Sequence, residues 1–154
     1  MDYNNILPVV LAGGKSKRFG EDKSQVQLGD KILIDHILTE IKDDFKEILI
    51  VVNSPIKHLS SNKITEISDY QKNLGPLGGV LSAMKWIKSN NKKYEWIATF
   101  PSDTPFFRKN ILNNFYNKIN EKESELFFMK SNEKRHNIFG LWSLDLIDQL
   151  EKDL

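Results

Sequence analysis

Two glycines, Gly13 and Gly14, are followed by Lys15, Lys17, Arg18 and Lys23, four cations within nine residues. A polyphosphate requires this kind of order. Glycine has no Cβ, so backbone N–H groups there can close on a phosphate or a base. The cations then neutralise the anion. The apolar run Ile6-Leu7-Pro8-Val9-Val10-Leu11 comes immediately before and supplies a rigid strand edge. The segment is not a P-loop, because five residues separate Gly14 from Gly20 and no Gly-Lys-Ser/Thr closes it. Nor does it have the G-x-G-x-x-G spacing of a dinucleotide site. By itself the glycine pair is equally readable as a basic surface turn.

Three carboxylate or amide residues stand at similar breaks. Asp103 follows Trp96–Phe100 inside Pro101-Ser102-Asp103-Thr104-Pro105-Phe106. A carboxylate there suits Mg²⁺, which takes one or two carboxylates with phosphate oxygens and water. It also suits a plain turn cap. Asp69 ends Ile64–Ile67 and reads either as a ribose or base ligand or as a cap. Asn53 ends Ile48–Val52 and reads as a nucleotide contact or a turn residue. Gly75-Pro76-Leu77-Gly78-Gly79 reads as a loop that opens a helix, where small residues would let a substrate approach the N–H groups. His36, His58 and His136 lack metal-ligand spacing, and His36 and His58 read as surface or packing residues. No Ser/His/Asp order suggests a hydrolase. Lys130 to Arg135 reads as a solvated loop, with Arg135 and His136 available to a second anionic substrate.

The elements that would position these residues alternate between apolar runs and helical periodicity, the pattern of an α/β domain with a mostly parallel sheet. Strands are expected at Leu7–Leu11, Ile48–Val52, Ile64–Ile67, Trp96–Phe100, Glu125–Lys130 and Asn137–Trp142. Helices are expected at Ile32–Ile41, with Leu33, Ile37 and Ile41 on one face, and at Val80–Lys88, Ile111–Ile119 and Leu144–Leu150. Trp86, Trp96, Trp142 and the Phe127-Phe128-Met129 run read as packing residues. In open α/β sheets ligands bind beyond the carboxyl ends of the strands, which would gather Gly13, Gly14, Asn53, Asp69 and Asp103 into one site.

The chain of 154 residues suits a single domain, 1–154. Its net charge of +1 provides no global field for nucleic acid. With no cysteine, disulfides, iron–sulfur clusters and thiolate zinc sites are excluded. No run is apolar enough to span a bilayer, and Met1-Asp2-Tyr3-Asn4-Asn5 lacks a signal-peptide start. The expectation is a cytoplasmic protein that contacts neither membrane nor nucleic acid.

In combination the motifs resemble the molybdenum cofactor guanylyltransferases, a family of nucleotidyltransferases. The family's Leu-Ala-Gly-Gly-x-x-x-Arg-Met/Phe-Gly, then Asp-Lys, is matched by Leu11 to Gly20 and Asp22-Lys23. Its strand ending in Asn is matched by Val51-Val52-Asn53, and its Asp before Gly-Pro-Leu by Asp69 and Gly75–Gly79. Pro101–Phe106 matches Pro-Cys-Asp-Thr-Pro-Phe with Ser102 for Cys, and His136 to Leu141 loosely matches a late His-Pro motif. Related cytidylyl transferases more often read Leu-Ala-Ala-Gly, so Gly13 leans toward guanine. The family's late Asn-x-Asn-Thr-Pro-Glu motif is absent before Leu154. That leaves open a shortened homologue, a truncated chain and a decayed copy.

The resemblance implies a Rossmann-like three-layer α/β nucleotidyltransferase fold with a mostly parallel, mixed central sheet. It implies transfer of GMP from GTP to the terminal phosphate of molybdopterin, with Mg²⁺ as cofactor and a product passed to molybdoenzyme-maturation proteins. By the same resemblance Leu11, Ala12, Gly13 and Gly14 would bind guanine and ribose through backbone groups. Arg18 and Lys23 would hold the triphosphate, Asn53 and Asp69 would contact the nucleotide, and Asp103 would coordinate Mg²⁺. Arg18, Lys23 and Asp103 are the expected catalytic residues. A cytidylyl or sugar-phosphate transferase of the same fold and a non-catalytic GTP-binding homologue are the alternatives.

Overall fold

The computed structural model describes residues 2–13, 25–56, 59, 61–69, 74–108, 110–121 and 124–154. Two runs organise it, β1 (Ile6–Leu11) and β4 (Ile48–Val52), every residue of which is buried. Their side chains alternate between two cores, as a strand's period of two requires. Ile6 and Val10 join Ile48, Ile50 and Val52 on one face; Leu7, Val9 and Leu11 join Leu49 and Val51 on the other.

The main sheet has six strands in the order β5-β4-β1-β6-β8-β7, with β5 (Ile64–Ser68), β6 (Trp96–Pro101), β7 (Leu126–Ser131) and β8 (Lys134–Ser143). β5, β4, β1 and β6 are mutually parallel, while β8 runs antiparallel to both β6 and β7. From β1 the chain winds first to β4 and β5 on one side, then returns to β6 on the other.

Helices cover both faces and make three layers. α1 (Leu33–Ile41) and α3 (Asn110–Glu121) pack on the first core through Ile34, Ile37, Leu38, Ile41, Leu112 and Phe115. α2 (Gly75–Ser89) and α4 (Ile147–Asp153) pack on the second. The buried face of α1 thus runs through Ile34 and Leu38, not through Leu33 as the sequence suggested, because positions i, i+3, i+4 and i+7 form the stripe. The mixed three-layer architecture agrees with the fold expected from the resemblance.

Several local expectations need correction. The glycine segment before Val80 is no loop: α2 begins at Gly75, with Pro76 in its first turn, where a missing N–H costs nothing. Gly75 needs its positive φ of 63°. Gly79 serves packing, since a Cβ there would lie 3.0 Å from Leu11 Cδ2 and 3.6 Å from Val51 Cγ1. Lys130 to Arg135 is no free loop either. It is the turn of the β7–β8 hairpin, with Asn132 and Glu133 at φ 46° and 64°, the two positive values that suit right-twisted hairpins. A short hairpin, β2 (Gln27–Leu28) with β3 (Lys31–Ile32), also precedes α1. The last helical stretch starts as a 3₁₀ turn at Leu144–Leu146 and runs on to Asp153.

A buried hydroxyl holds β8 against β6. Thr99 has no exposed surface, and its Oγ1 accepts from Trp142 Nε1 at 2.9 Å and Gly140 N at 3.2 Å, and donates to the Ile138 carbonyl. Thr99→Val keeps the shape but strands both donors. The expected loss is about 1–3 kcal/mol in urea unfolding, with an unchanged slope. A loss under about 0.5 kcal/mol would mean that the hydroxyl is not the clamp.

Candidate functional site

The four parallel strands end side by side, and each is followed by one of the residues singled out in the sequence. Across β5, β4, β1 and β6 these are Asp69, Asn53, Gly13 and Asp103. At ~4.8 Å between strands, the row spans about 14 Å, close to the length of a nucleotide. Backbone hydrogen bonds lock the row: Ala12 N to Val51 O at 2.8 Å, Ser102 N to Leu11 O at 3.1 Å and Asp69 N to Val52 O at 3.3 Å.

Gly13 and Asn53 are neighbours. A Cβ on Gly13 would stand 3.2 Å from Asn53 Oδ1, so any larger residue would crowd that exposed amide. Leu11 and Ala12 are buried, and the Leu11 carbonyl and the Ala12 N–H already serve the sheet. Exposed polar capacity at this strand end therefore rests on Asn53 more than on the β1 backbone. Gly14, Arg18 and Lys23, with Lys15 and Lys17, lie outside the described residues.

Asp69 is half-buried, with its Oδ1 3.0 Å from Ser82 Oγ on α2. Ser82 also reaches the Gly78 carbonyl at 2.9 Å and is 4% exposed. The sequence reading missed Ser82. Its only signal is a small polar residue one turn after Gly78, on the face the glycines bring against the sheet.

Asp103 is exposed. The turn that carries it is closed by Thr104 N donating to the Pro101 carbonyl at 3.1 Å, without the Asp103 side chain. The carboxylate accepts from the Thr104 hydroxyl at 3.3 Å. The capping role that a lone aspartate suggests is thus filled by backbone, and the carboxylate faces outward. Buried Ser102 and Pro105 fix the backbone on either side.

These donors fit Mg²⁺ bound mainly through phosphate and water. Among the described residues no group of three or more His, Asp or Glu side chains could cage a metal. One outward carboxylate at a strand end is the protein share that Mg²⁺ commonly takes.

β8 runs antiparallel to β6, so the β7–β8 turn stands at the same end of the sheet as Asp103. It carries Lys130, Lys134, Arg135 and His136. Arg135 lies 5.1 Å over the Phe128 ring and donates to Asn137 Oδ1 at 2.6 Å, while His136 Nε2 is 2.8 Å from Ser131 Oγ. On the α1 side, the His36 ring sits 5.6 Å from Phe106, and its Nε2 is 2.8 Å from the Leu28 carbonyl. Tyr3 and Tyr94, whose pKa values are shifted, are at the opposite end of the strands. Burial raises both, and the Glu47 carboxylate beside Tyr94 helps push that one to about 12. Among the described residues, no helix is long and apolar enough to cross a membrane.

A family model described as a MobA-like NTP transferase domain matches residues 8–154. A molybdenum cofactor guanylyltransferase from Haemophilus influenzae is 31% identical over 94% of this chain and 74% of its own. One from Nitrobacter hamburgensis is 26% identical over 95% and 71%. Among solved structures, the molybdopterin-guanine dinucleotide biosynthesis protein A of Archaeoglobus fulgidus superposes with a TM-score of 0.74 at 22% identity, covering 95% of this chain and 71% of that one. A Mycobacterium tuberculosis protein crystallised with manganese superposes with a TM-score of 0.69 at 14% identity, covering 95% and 74%. At such identities the two structures speak for the fold alone.

Proposed function

The chain belongs to the MobA-like NTP transferase family, alongside molybdenum cofactor guanylyltransferases, and from that premise we propose that it transfers GMP from GTP to the terminal phosphate of molybdopterin, or of its molybdenum-loaded form. The observation that carries this reading is the row Asp69, Asn53, Gly13, Asp103 across four adjacent parallel strand ends. A nucleoside fits over β5, β4 and β1, with its phosphates reaching β6.

In this reaction an oxygen of the acceptor phosphate bonds to the α-phosphorus of GTP. The bond from that phosphorus to the α,β-bridging oxygen breaks, and pyrophosphate leaves with the electron pair. A phosphate monoester has a second pKa near ~6 and is already an anionic nucleophile at neutral pH. No general base is needed, and the chain's own work is alignment and charge neutralisation. Asn53 and Asp69 orient the nucleoside, with Asp69 braced by Ser82. Gly13, with Leu11, Ala12 and Gly14, admits guanine close to the backbone. Arg18 and Lys23 hold the triphosphate and the departing pyrophosphate. Asp103 would hold Mg²⁺, which when bound would offset the phosphate charge. Arg135 and His136, on the β7–β8 hairpin, would receive the anionic acceptor.

Calorimetric titration with GTP and CTP, each with and without Mg²⁺, tests the reading. GTP is expected to bind at least about tenfold tighter than CTP, and more tightly with Mg²⁺. A preference for CTP would overturn the guanine assignment, and binding of neither would overturn the site.

A further inference from the structure

Phe106 is 73% exposed, the largest exposure among the exposed large hydrophobic residues described. Its neighbours explain why it cannot turn inward. Pro105 is buried, and Phe107 packs against Phe100 and Phe139 with ring centroids 5.3 and 5.4 Å away. With the residues before and after it pinned to the core, Phe106 projects into solvent. Burying a phenyl ring stabilises a fold, so the loop forgoes that stabilisation in leaving this ring exposed.

The ring is not isolated. His36 backs it at 5.6 Å with the planes tilted by 57°. The two line a cavity of about 310 Å³ together with Glu40, Pro105, Phe107 and Arg108. His36 and Glu40 are one helical turn apart on α1 and so share a face, opposite the stripe through Ile37 and Ile41. The cavity is continuous in the chain with the reacting centre, because Phe106 lies three residues after Asp103, a reach of at most about 10 Å. The strand ends proposed for the nucleoside are those of β1, β4 and β5, whereas the cavity is built from α1 and the loop after β6.

We propose that Phe106, backed by His36, is the seat for the planar ring of the acceptor, with Glu40 facing the ring's hydrogen-bond donor edge. This rests on the guanylyl-transfer reading above. A pterin is a flat, bicyclic nitrogen heteroaromatic whose amino group and adjacent ring N–H are both donors. An aromatic face takes such a ring by stacking, and a carboxylate accepts from the paired donors. The spacing leaves the acceptor's phosphate arm to bridge from the ring to the α-phosphate beside Asp103. Phe106 and Glu40 therefore act on the acceptor and not on GTP.

The probe is a fluorescent pterin that carries a side-chain phosphate monoester, titrated into protein saturated with GTP and Mg²⁺. Its fluorescence should be quenched on binding. Phe106→Ala should weaken that binding by about tenfold to a hundredfold, in the range that stacked rings lose on truncation. Phe106→Tyr should restore it, and Glu40→Gln should weaken it by several-fold. Calorimetric affinity for GTP should stay the same in all three variants. Equal probe affinity in wild type and Phe106→Ala, or no probe binding to wild type that still binds GTP, would overturn the seat and leave guanylyl transfer standing. Loss of GTP affinity in parallel with probe affinity would also overturn it, as a general disturbance of the loop. So would a change in sedimentation coefficient in Phe106→Ala without a change in probe affinity, since the ring would then serve contact between copies of the chain. Failure of wild type to bind GTP would instead strike the guanylyl-transfer reading on which the seat depends.

Discussion

Asp103→Asn is expected to lower turnover by at least about a hundredfold while leaving the protein as stable as before. The two halves of this expectation have separate causes. The Asp103 carboxylate is exposed and touches only the Thr104 hydroxyl among the hydrogen bonds described, while the turn beneath it is closed by backbone. Substitutions at such surface positions usually change stability by no more than about 0.5 kcal/mol. Thermal melts of variant and wild type should then nearly coincide. Activity depends on charge instead. Asparagine keeps the shape and the local hydrogen bonding but removes the negative charge that draws a hard cation to the phosphates. Losing one preorganised electrostatic contact to a transition state typically costs about 10²–10³ in rate. The enhancement of GTP affinity by Mg²⁺ should vanish in the variant, while affinity without Mg²⁺ persists. Pyrophosphate release within threefold of wild type would show that Asp103 does not hold the metal. Asp69→Asn makes the contrast, because Asp69 is tied to buried Ser82. That change should disturb nucleotide affinity more than its dependence on Mg²⁺.

Much of this site was legible in the sequence because strand ends are abrupt there. β1 and β4 are continuous aliphatic runs, buried on both faces, and each stops at a residue that cannot continue the pattern, Gly13 and Asn53. Asp69 and Asp103 close the two flanking strands in the same way. Strand order then needs only the parallel α/β rule to set the four residues in a row. What escaped the sequence has identifiable physical causes. Glycine is ambiguous: Gly75 is required by a positive φ and Gly79 by the approach of α2 to Leu11, and the letter is the same. The β7–β8 turn reads as a loop in sequence because Lys130, Glu133, Lys134 and Arg135 have the composition of a solvated segment, although an outer hairpin is solvated too. β2 and β3 are two residues long and have no periodicity to read. Ser82 and Phe106 depend on contacts across the fold, with Asp69 in one case and His36 in the other.

Gly140→Ala should be among the most destabilising single-methyl changes the chain can take. Gly140 sits in β8 between two partners, opposite Thr99 of β6 and Phe128 of β7. An added Cβ would lie 2.4 Å from the Phe127 carbonyl oxygen and 3.1 Å from Phe128 Cδ1. The first contact is with backbone, which cannot swing away as a side chain does, so β7 or β8 must shift. Overpacking of this kind costs about 1–3 kcal/mol. Here the shift also touches the Thr99 network, because Gly140 N is one of the donors to Thr99 Oγ1. The expected loss is therefore at or above the upper end of that range, about 3 kcal/mol, read as a lower urea midpoint. The two substitutions act on one clamp, so Gly140→Ala combined with Thr99→Val should destabilise by less than the sum of the separate losses. Additive losses would mean that the strand contact and the hydroxyl network are independent. A Gly140→Ala variant within about 0.5 kcal/mol of wild type would show that β7 has room to move. In that case the turn bearing Arg135 and His136 would not be held rigidly beside Asp103, and acceptor recognition would fall to the Phe106 side of the site.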